Sequence, residues 1–301
     1  MHPWTKKQSE GRKNVTVCVA AICSNQNAIV CVADKAVTIN QYIQWAADAT
    51  KIIPVGNPRR VPPCVALISG EEDVSIDLIS EVQSNPSFGM NLRESMRIAE
   101  DAYKKILAKR IETETLEPKL LTRADYISLL RNQAVTSSYV DDIKREISQF
   151  RLGCAVVFCG FENKKAFLFH VGYPGRARDC THSAFEAIGS GSEMATTRML
   201  SLESSRSDGV IVALYNAFDG KANAEIITGV GYAWDASVLV GFRPQIRLPM
   251  SIKRRIEFLF GEASASPFHR SFGAGFKRIP RWKRELINWG DRTVRQKKGR
   301  P

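Results

Sequence analysis

The chain has 301 residues, 44% of them apolar, and a formal net charge of +12. That length suffices for one large domain or two small ones. No apolar run approaches the ~20 residues of a membrane-spanning helix, so no transmembrane segment is expected. The charge is unevenly spread: residues 251–301 carry 14 Lys and Arg against 4 Asp and Glu, which leaves the preceding chain close to neutral.

The first 13 residues are charged and lead into no apolar h-region, which argues against a secretory signal. They form no Arg-rich amphipathic presequence either. Residues 15–22 and 28–34 are β-rich runs joined by "SNQN", the pattern of a hairpin with polar turn chemistry. A two-residue turn at Asn25–Gln26 would set Thr16 opposite Lys35. A three-residue loop from Ser24 to Gln26 would set it opposite Asp34. Both registers are open at this point.

"KIIPV" (51–55) and "CVALISG" (64–70) read as further strands, the second ended by Gly70, with a Pro- and Arg-rich loop between them. "EEDVSIDLISEV" then places acids in a first helical turn, where the helix dipole favours them. A second helix is predicted from about Asn91 to Arg110, with Met96, Ala99, Tyr103, Ile106 and Leu107 on one face. Residues 112–150 are polar and helical in pieces, with Ile143, Ile147 and Phe150 spaced for a short amphipathic helix.

Strands return at "CAVVFCG" (154–160), "AFLFHV" (166–171) and "FEAIG", the last leading into "GSGSE". Helices follow near Glu193 and over Asp208–Phe218, where Val210, Ala213, Leu214, Ala217 and Phe218 share a face. "ASVLVGF" (236–242) is the last strand. Runs of strands alternate with paired helices. This predicts antiparallel sheets with helix pairs packed outside, and not a doubly wound parallel sheet.

Seven cysteines, at positions 18, 23, 31, 64, 154, 159 and 180, include no CxxC pair and lie mostly in apolar runs. There a free thiol behaves as a small hydrophobe. A reduced, cytoplasmic protein is the expectation. His2, His170, His182 and His269 stand apart from the cysteines, so no metal site is expected.

Four stretches, in order, carry a resemblance: "TVCVAA…AIVCVADKAVT", "DATKIIPV", "VALISG" and "AIGSGSEMA". Together, across about residues 15–242, they resemble the proteasome family of N-terminal nucleophile (Ntn) hydrolases, and bacterial proteasome-like proteins above all. The resemblance implies an α+β fold, a four-layer αββα sandwich of two antiparallel sheets flanked by helix pairs. It implies an N-terminal extension or propeptide over 1–14, a hydrolase domain over 15–245 and a basic C-terminal tail over 246–301. It also implies a homo-oligomer, as a ring or stacked rings.

Its chemistry assigns roles by position. Thr16 is the implied nucleophile, acting on a peptide or amide once residues 1–15 are removed. A threonine hydroxyl needs an adjacent base, and here that base is the freed α-amine, of ordinary pKa about 7.7–8.0. Lys51 would help keep the amine neutral, and Asp34 would orient Lys51. The Gly70 N–H would meet the developing oxyanion, and Ser190 would hold the amine. No metal or cofactor is required.

Three features depart from the family pattern. Thr16 is internal, and β-branched Val15 stands where processed relatives usually carry Gly. The family's Asp-x-x-Ser-Gly-Gly stretch is replaced by "GVGYAWDASVLV", whose one acid, Asp235, occupies a different point and completes the implied set. The opening hairpin is longer than usual. Aligning Asn14 with the first position instead would give a catalytically silent member, because Asn has no hydroxyl.

Two functions therefore stand side by side: a threonine-type peptidase or amidohydrolase, and a silent proteasome-like scaffold. The tail interleaves Arg and Lys with Phe and Trp. It reads as a solvated extension or as a surface for an acidic partner such as nucleic acid or an anionic membrane face, while its first stretch, "SIKRRIEFLF", is amphipathic enough to pack on the body instead.

Overall fold

The computed structural model describes residues 16–39, 43–46, 50–55, 64–131, 137–227, 230–241 and 245–265. The Val15–Thr16 junction, the expected propeptide and most of the basic tail lie outside the described residues.

The chain opens with β1 (Cys18–Cys23) and β2 (Ala28–Asp34), then the hairpin of β3 (Ala36–Ile39) and β4 (Ile43–Ala46). Next come β5 (Ile52–Val55) and β6 (Cys64–Gly70), and the helices α1 (Glu72–Gln83) and α2 (Leu92–Ile111). A π-turn and a 3-10 turn follow, then α3 (Arg123–Arg131) and α4 (Ser137–Gln149). The second half holds β7 (Cys154–Glu162), β8 (Lys165–Gly172), β9 (Arg176–Asp179) and β10 (Phe185–Ile188). It ends with α5 (Ser192–Ser201), α6 (Val210–Ala224), β11 (Trp234–Val240), β12 (Ile246–Arg247) and α7 (Met250–Ala265).

Two five-stranded antiparallel sheets result, in the orders β10-β1-β2-β11-β12 and β5-β6-β7-β8-β9. Alternation along each strand explains how they stack. In β1 and just before it, Val17, Val19, Ala21 and Cys23 face a core shared with α5 and α6, whereas Cys18, Ala20 and Ile22 face the second sheet. In β6, Val65 and Leu67 face the first sheet, and Cys64, Ala66 and Ile68 face α1 and α2. Both faces of each central strand are buried, so these strands read as unbroken apolar runs. The layers are helices, sheet, sheet, helices: the antiparallel sheets with outer helix pairs expected from the order of elements, in the four-layer α+β sandwich that the resemblance implies.

Local chemistry fixes the key turns. Asn27 N–H donates to the Ser24 carbonyl at 3.2 Å, and Asn25 and Gln26 between them have φ of 54° and 70°. Positive φ at both central positions is what a type I′ hairpin turn needs. Of the two registers open in the sequence, the two-residue turn is therefore the observed one. Cys18 pairs with Ala33 and Cys23 with Ala28, and the same register continued puts Thr16 level with Lys35. Asn91 caps α2 by accepting from Glu94 N–H at 2.7 Å, while Lys109 and Arg110 sit in its last turn. Both devices favour a helix over this stretch.

The segment expected as a tail begins inside the body. β12 pairs with β11, and Ile256 of α7 is buried in the first sheet's outer core. Lys253 donates to the Trp234 carbonyl and to Asp235 Oδ1, and Trp234 Nε1 donates to Glu257. The β3–β4 hairpin, β9 and β12 have no counterpart in the predicted elements. They are short, and two of them carry too few apolar residues for a period to register. All seven cysteines are buried free thiols. Burial pushes Cys23, Cys64, Cys154 and Cys180 up to about 12, so they behave as small apolar side chains. Among the described residues, no helix is long and apolar enough to cross a membrane.

Candidate functional site

The first sheet ends in a polar cluster built around one buried carboxylate. Asp34, the last residue of β2, is 0% exposed. Its Oδ1 accepts from Thr16 Oγ1 at 2.7 Å, from Val17 N–H at 3.0 Å and from Lys51 Nζ at 2.9 Å. Its Oδ2 accepts from Ala36 N–H at 3.1 Å and Gly231 N–H at 3.3 Å. A carboxylate taken out of water is tolerated only with this kind of pairing.

Lys51 stands just before β5, in the second sheet's edge, and reaches across to the first. Its Nζ donates to Thr16 Oγ1, to Asp34 Oδ1 and to the Ala36 carbonyl at 2.8 Å. The three donors of an ammonium are thereby used. Thr16 is 2% exposed. Its hydroxyl lies between an ammonium and a carboxylate, so it receives one hydrogen bond and gives one.

The "GSGSE" turn wraps the main chain of Thr16. Thr16 N–H donates to Ser190 Oγ at 3.2 Å, and Gly191 N–H donates to the Thr16 carbonyl at 3.2 Å. Gly189 has φ of 99°, and a Cβ there would lie 2.1 Å from the Thr16 carbonyl oxygen. Only glycine suits that point, both for its backbone and for its space. The turn also opens α5, whose first turn carries Glu193.

Gly70 ends β6 with φ of 92°, and a Cβ there would fall 1.9 Å from the Gly153 carbonyl oxygen. Ile68 N–H donates to the Lys51 carbonyl at 3.1 Å, which sets the end of β6 alongside Lys51. Asp235 belongs elsewhere. It pairs with Ala33 across β11 and β2, whereas Asp34 pairs with Trp234. One residue of offset turns a side chain to the other face of a sheet. The Asp235 carboxylate takes Lys253 Nζ at 2.8 Å and the Ala236 N–H at 2.9 Å.

The structure thus gathers Thr16, Asp34, Lys51 and Ser190 into one network and sends Asp235 to α7. Sequence reasoning missed Ala36 and Gly231, which contribute only backbone groups and so leave no side-chain signal. It also missed Lys221, a fully buried lysine in α6. The signal for Lys221 was present: position 221 continues the 210–214–217 apolar stripe, where a lysine is out of place.

No protein-family model matches the chain, and no curated protein sequence does either. Solved structures do. Anbu (ancestral beta-subunit) from Yersinia bercovieri matches with a TM-score of 0.57 and 15% identity, over 87% of this chain and 100% of its own. The Anbu (Gly-1) mutant from Hyphomicrobium sp. strain MC1 matches with a TM-score of 0.56, 15% identity and the same coverage. HslV from Trypanosoma brucei gives 0.45 and 16%, over 75% of this chain and 99% of its own. At such identity the likeness is one of fold. The two sheets and their helices make this a proteasome-like fold of the N-terminal nucleophile type.

Proposed function

We propose that this protein is a threonine-type peptidase or amidohydrolase whose nucleophile is Thr16, freed by removal of residues 1–15. One observation carries the reading: the Thr16 hydroxyl sits in hydrogen-bond contact with both Lys51 Nζ and Asp34 Oδ1, buried at the end of the first sheet's strands. A strand threonine has no structural need of two charged partners.

Maturation starts from the bond between Val15 and Thr16. Thr16 Oγ1 attacks the Val15 carbonyl carbon as its proton passes to Asp34 Oδ1, the acceptor it already faces, and from there to the departing Thr16 nitrogen. The C–N bond breaks, and an ester joins Val15 to the Thr16 oxygen. Water then hydrolyses the ester, releasing the Val15 carboxylate and a free Thr16 amine.

In turnover that amine takes the Oγ1 proton as Oγ1 adds to a substrate carbonyl. The same proton goes to the departing amine, leaving an acyl ester that water cleaves. Asp34 and Lys51 set the electrostatics, Ser190 holds the amine, and the Gly70 N–H supports the oxyanion. Asp235 has no step. The assembly is a homo-oligomer, working in the cytoplasm, and the basic segment 251–301 engages an acidic partner.

A second reading, a silent scaffold, is favoured by Val15, whose branched side chain crowds the carbonyl that Oγ1 must reach. Intact mass and labelling with a β-lactone selective for N-terminal threonine separate the two. The hydrolase yields a chain beginning at Thr16 that takes one label, and Thr16→Ala abolishes both events. A chain that stays full length and unlabelled in every assembly state removes the hydrolase and leaves the scaffold.

A further inference from the structure

Lys221 is 0% exposed, and its Nζ is paired with the Glu225 carboxylate. It lies in α6, beneath the first sheet. Its Nζ donates to Glu225 one helical turn on and to the Tyr232 carbonyl at 2.8 Å. Tyr232 is the residue after Gly231, whose N–H donates to Asp34 Oδ2. Two residues of main chain, Gly231 and Tyr232, therefore link this lysine to the carboxylate at the heart of the site.

The same segment is zipped to the chain after β2. Lys35 N–H donates to the Ala233 carbonyl at 2.8 Å, and a Cβ on Gly231 would meet Ala36 Cβ at 2.5 Å. Residues 231–233 thus lie against 34–36, with Lys51 holding the Ala36 carbonyl from the other side. A buried ammonium is costly unless something requires it, and an apolar residue would fill this stripe of α6 more cheaply.

We propose that Lys221 is a positioning residue for the Thr16 site. It grips the Tyr232 carbonyl so that the Gly231 N–H stays on Asp34 Oδ2, which leaves Oδ1 aimed at Thr16 and Lys51. It also supplies a second cation near that carboxylate. The charged groups around it are Glu225 on its own helix, Asp34 on β2 and Glu257 on α7. Burial holds its ammonium below the usual lysine range, and Glu225 works against that. The kinetic part of this proposal rests on the hydrolase reading of Thr16; the structural part does not.

The test compares the full-length wild type with Lys221→Met and Lys221→Arg. Amide exchange reads the grip directly. In Lys221→Met the Gly231 amide should exchange at least ~10-fold faster while amides of β8 keep their protection. The pH dependence of β-lactone labelling reads the electrostatics. Loss of a nearby cation makes the Thr16 amine easier to protonate, so the midpoint should rise by about half a unit or more. Lys221→Arg, which keeps the charge, should restore it.

An unchanged Gly231 exchange rate overturns the proposal, as does a midpoint shared by wild type and Lys221→Met. If the wild type takes no label, the hydrolase reading fails and the exchange comparison alone decides the role of Lys221. If Lys221→Met does not fold, Lys221→Gln, which also removes the cation, replaces it, with the same directions and the same overturning results.

Discussion

Among the described residues the two sheets are bridged by charge in two places, and the bridges are unlike. At one end Lys51 of the second sheet meets Asp34 of the first at 2.9 Å, with side chains 13% and 0% exposed. At the other, Arg178 of β9 meets Glu186 of β10 at 2.6 Å, with side chains 64% and 11% exposed. His170 of β8 adds its Nδ1 at 3.7 Å from the same glutamate. The first bridge is closed: Asp34 takes five donors, and Lys51 gives three. The second is open, because the His170 Nε2 is buried with no hydrogen-bond partner.

The contrast shows where the molecule has invested order. Charges in a dry, fully paired cluster interact far more strongly than the same charges in water, and their geometry is fixed by their mutual hydrogen bonds. An exposed pair is screened and holds little. Both bridges join the same two sheets, so neither the fold nor its stability alone requires the first to contain a hydroxyl.

The largest effect should come from cutting the closed bridge. Lys51→Met leaves Asp34 buried without its cation, and breaking a buried pair this way costs about 3–5 kcal/mol. Urea denaturation near neutral pH should show that loss as a lower midpoint with an unchanged slope. β-Lactone labelling of Thr16 should fall on the order of 10²-fold or more. A Lys51→Met protein as stable as wild type would make the two bridges equivalent and break the comparison.

The open bridge should reveal itself through pH. Burial, with help from the Arg178 guanidinium, lowers His170 to about 4, whereas the unfolded chain keeps it near ~6.5. The folded protein then binds fewer protons than the unfolded one between those values. Its stability contribution is complete above ~6.5 and is lost as pH falls toward the folded value, by about 3 kcal/mol at most. His170→Gln should flatten that loss when urea midpoints at about pH 7.5 and about pH 4.5 are compared. An equally steep loss in the variant would assign the acid sensitivity to other groups.

How much of this could be read beforehand depended on what kind of atom made each contact. The sandwich was legible because its central strands are buried on both faces, and runs such as "CVAAIC" and "AIVCVA" have no other use. Thr16, Asp34, Lys51 and the "GSGS" turn were legible through resemblance, as residue types in order. Their register was not, since the choice between two hairpin loops turned on left-handed backbone at Asn25 and Gln26, residues that carry either loop. Asp235, read as an acid at a different point from the family's, stands one residue out of step with Asp34 and takes Lys253; a sequence names an acid near a strand but not its face. Lys221 went unread although it continues the 210–214–217 stripe of α6; its partners there, Glu225 and the Tyr232 carbonyl, depend on how the chain after α6 returns against it.

The smallest effect sharpens the comparison most. Arg178→Ala removes the exposed partner of the largely buried Glu186; with the arginine in water such a pair holds about 1 kcal/mol, so neutral-pH stability should move far less than in Lys51→Met. The His170 titration, however, should move measurably, and its direction is fixed. The Arg178 cation disfavours a second positive charge on His170. Without it, that opposition is gone and the 2.6 Å contact no longer holds Glu186 away from His170 Nδ1. Both changes favour the imidazolium, so the midpoint should rise toward the ordinary value and the acid-sensitive window should narrow from below. An NMR titration of the His170 ring reads this without reference to activity. A midpoint that stays put or falls would show that Arg178 and His170 do not share one field, and that the second bridge is two separate contacts.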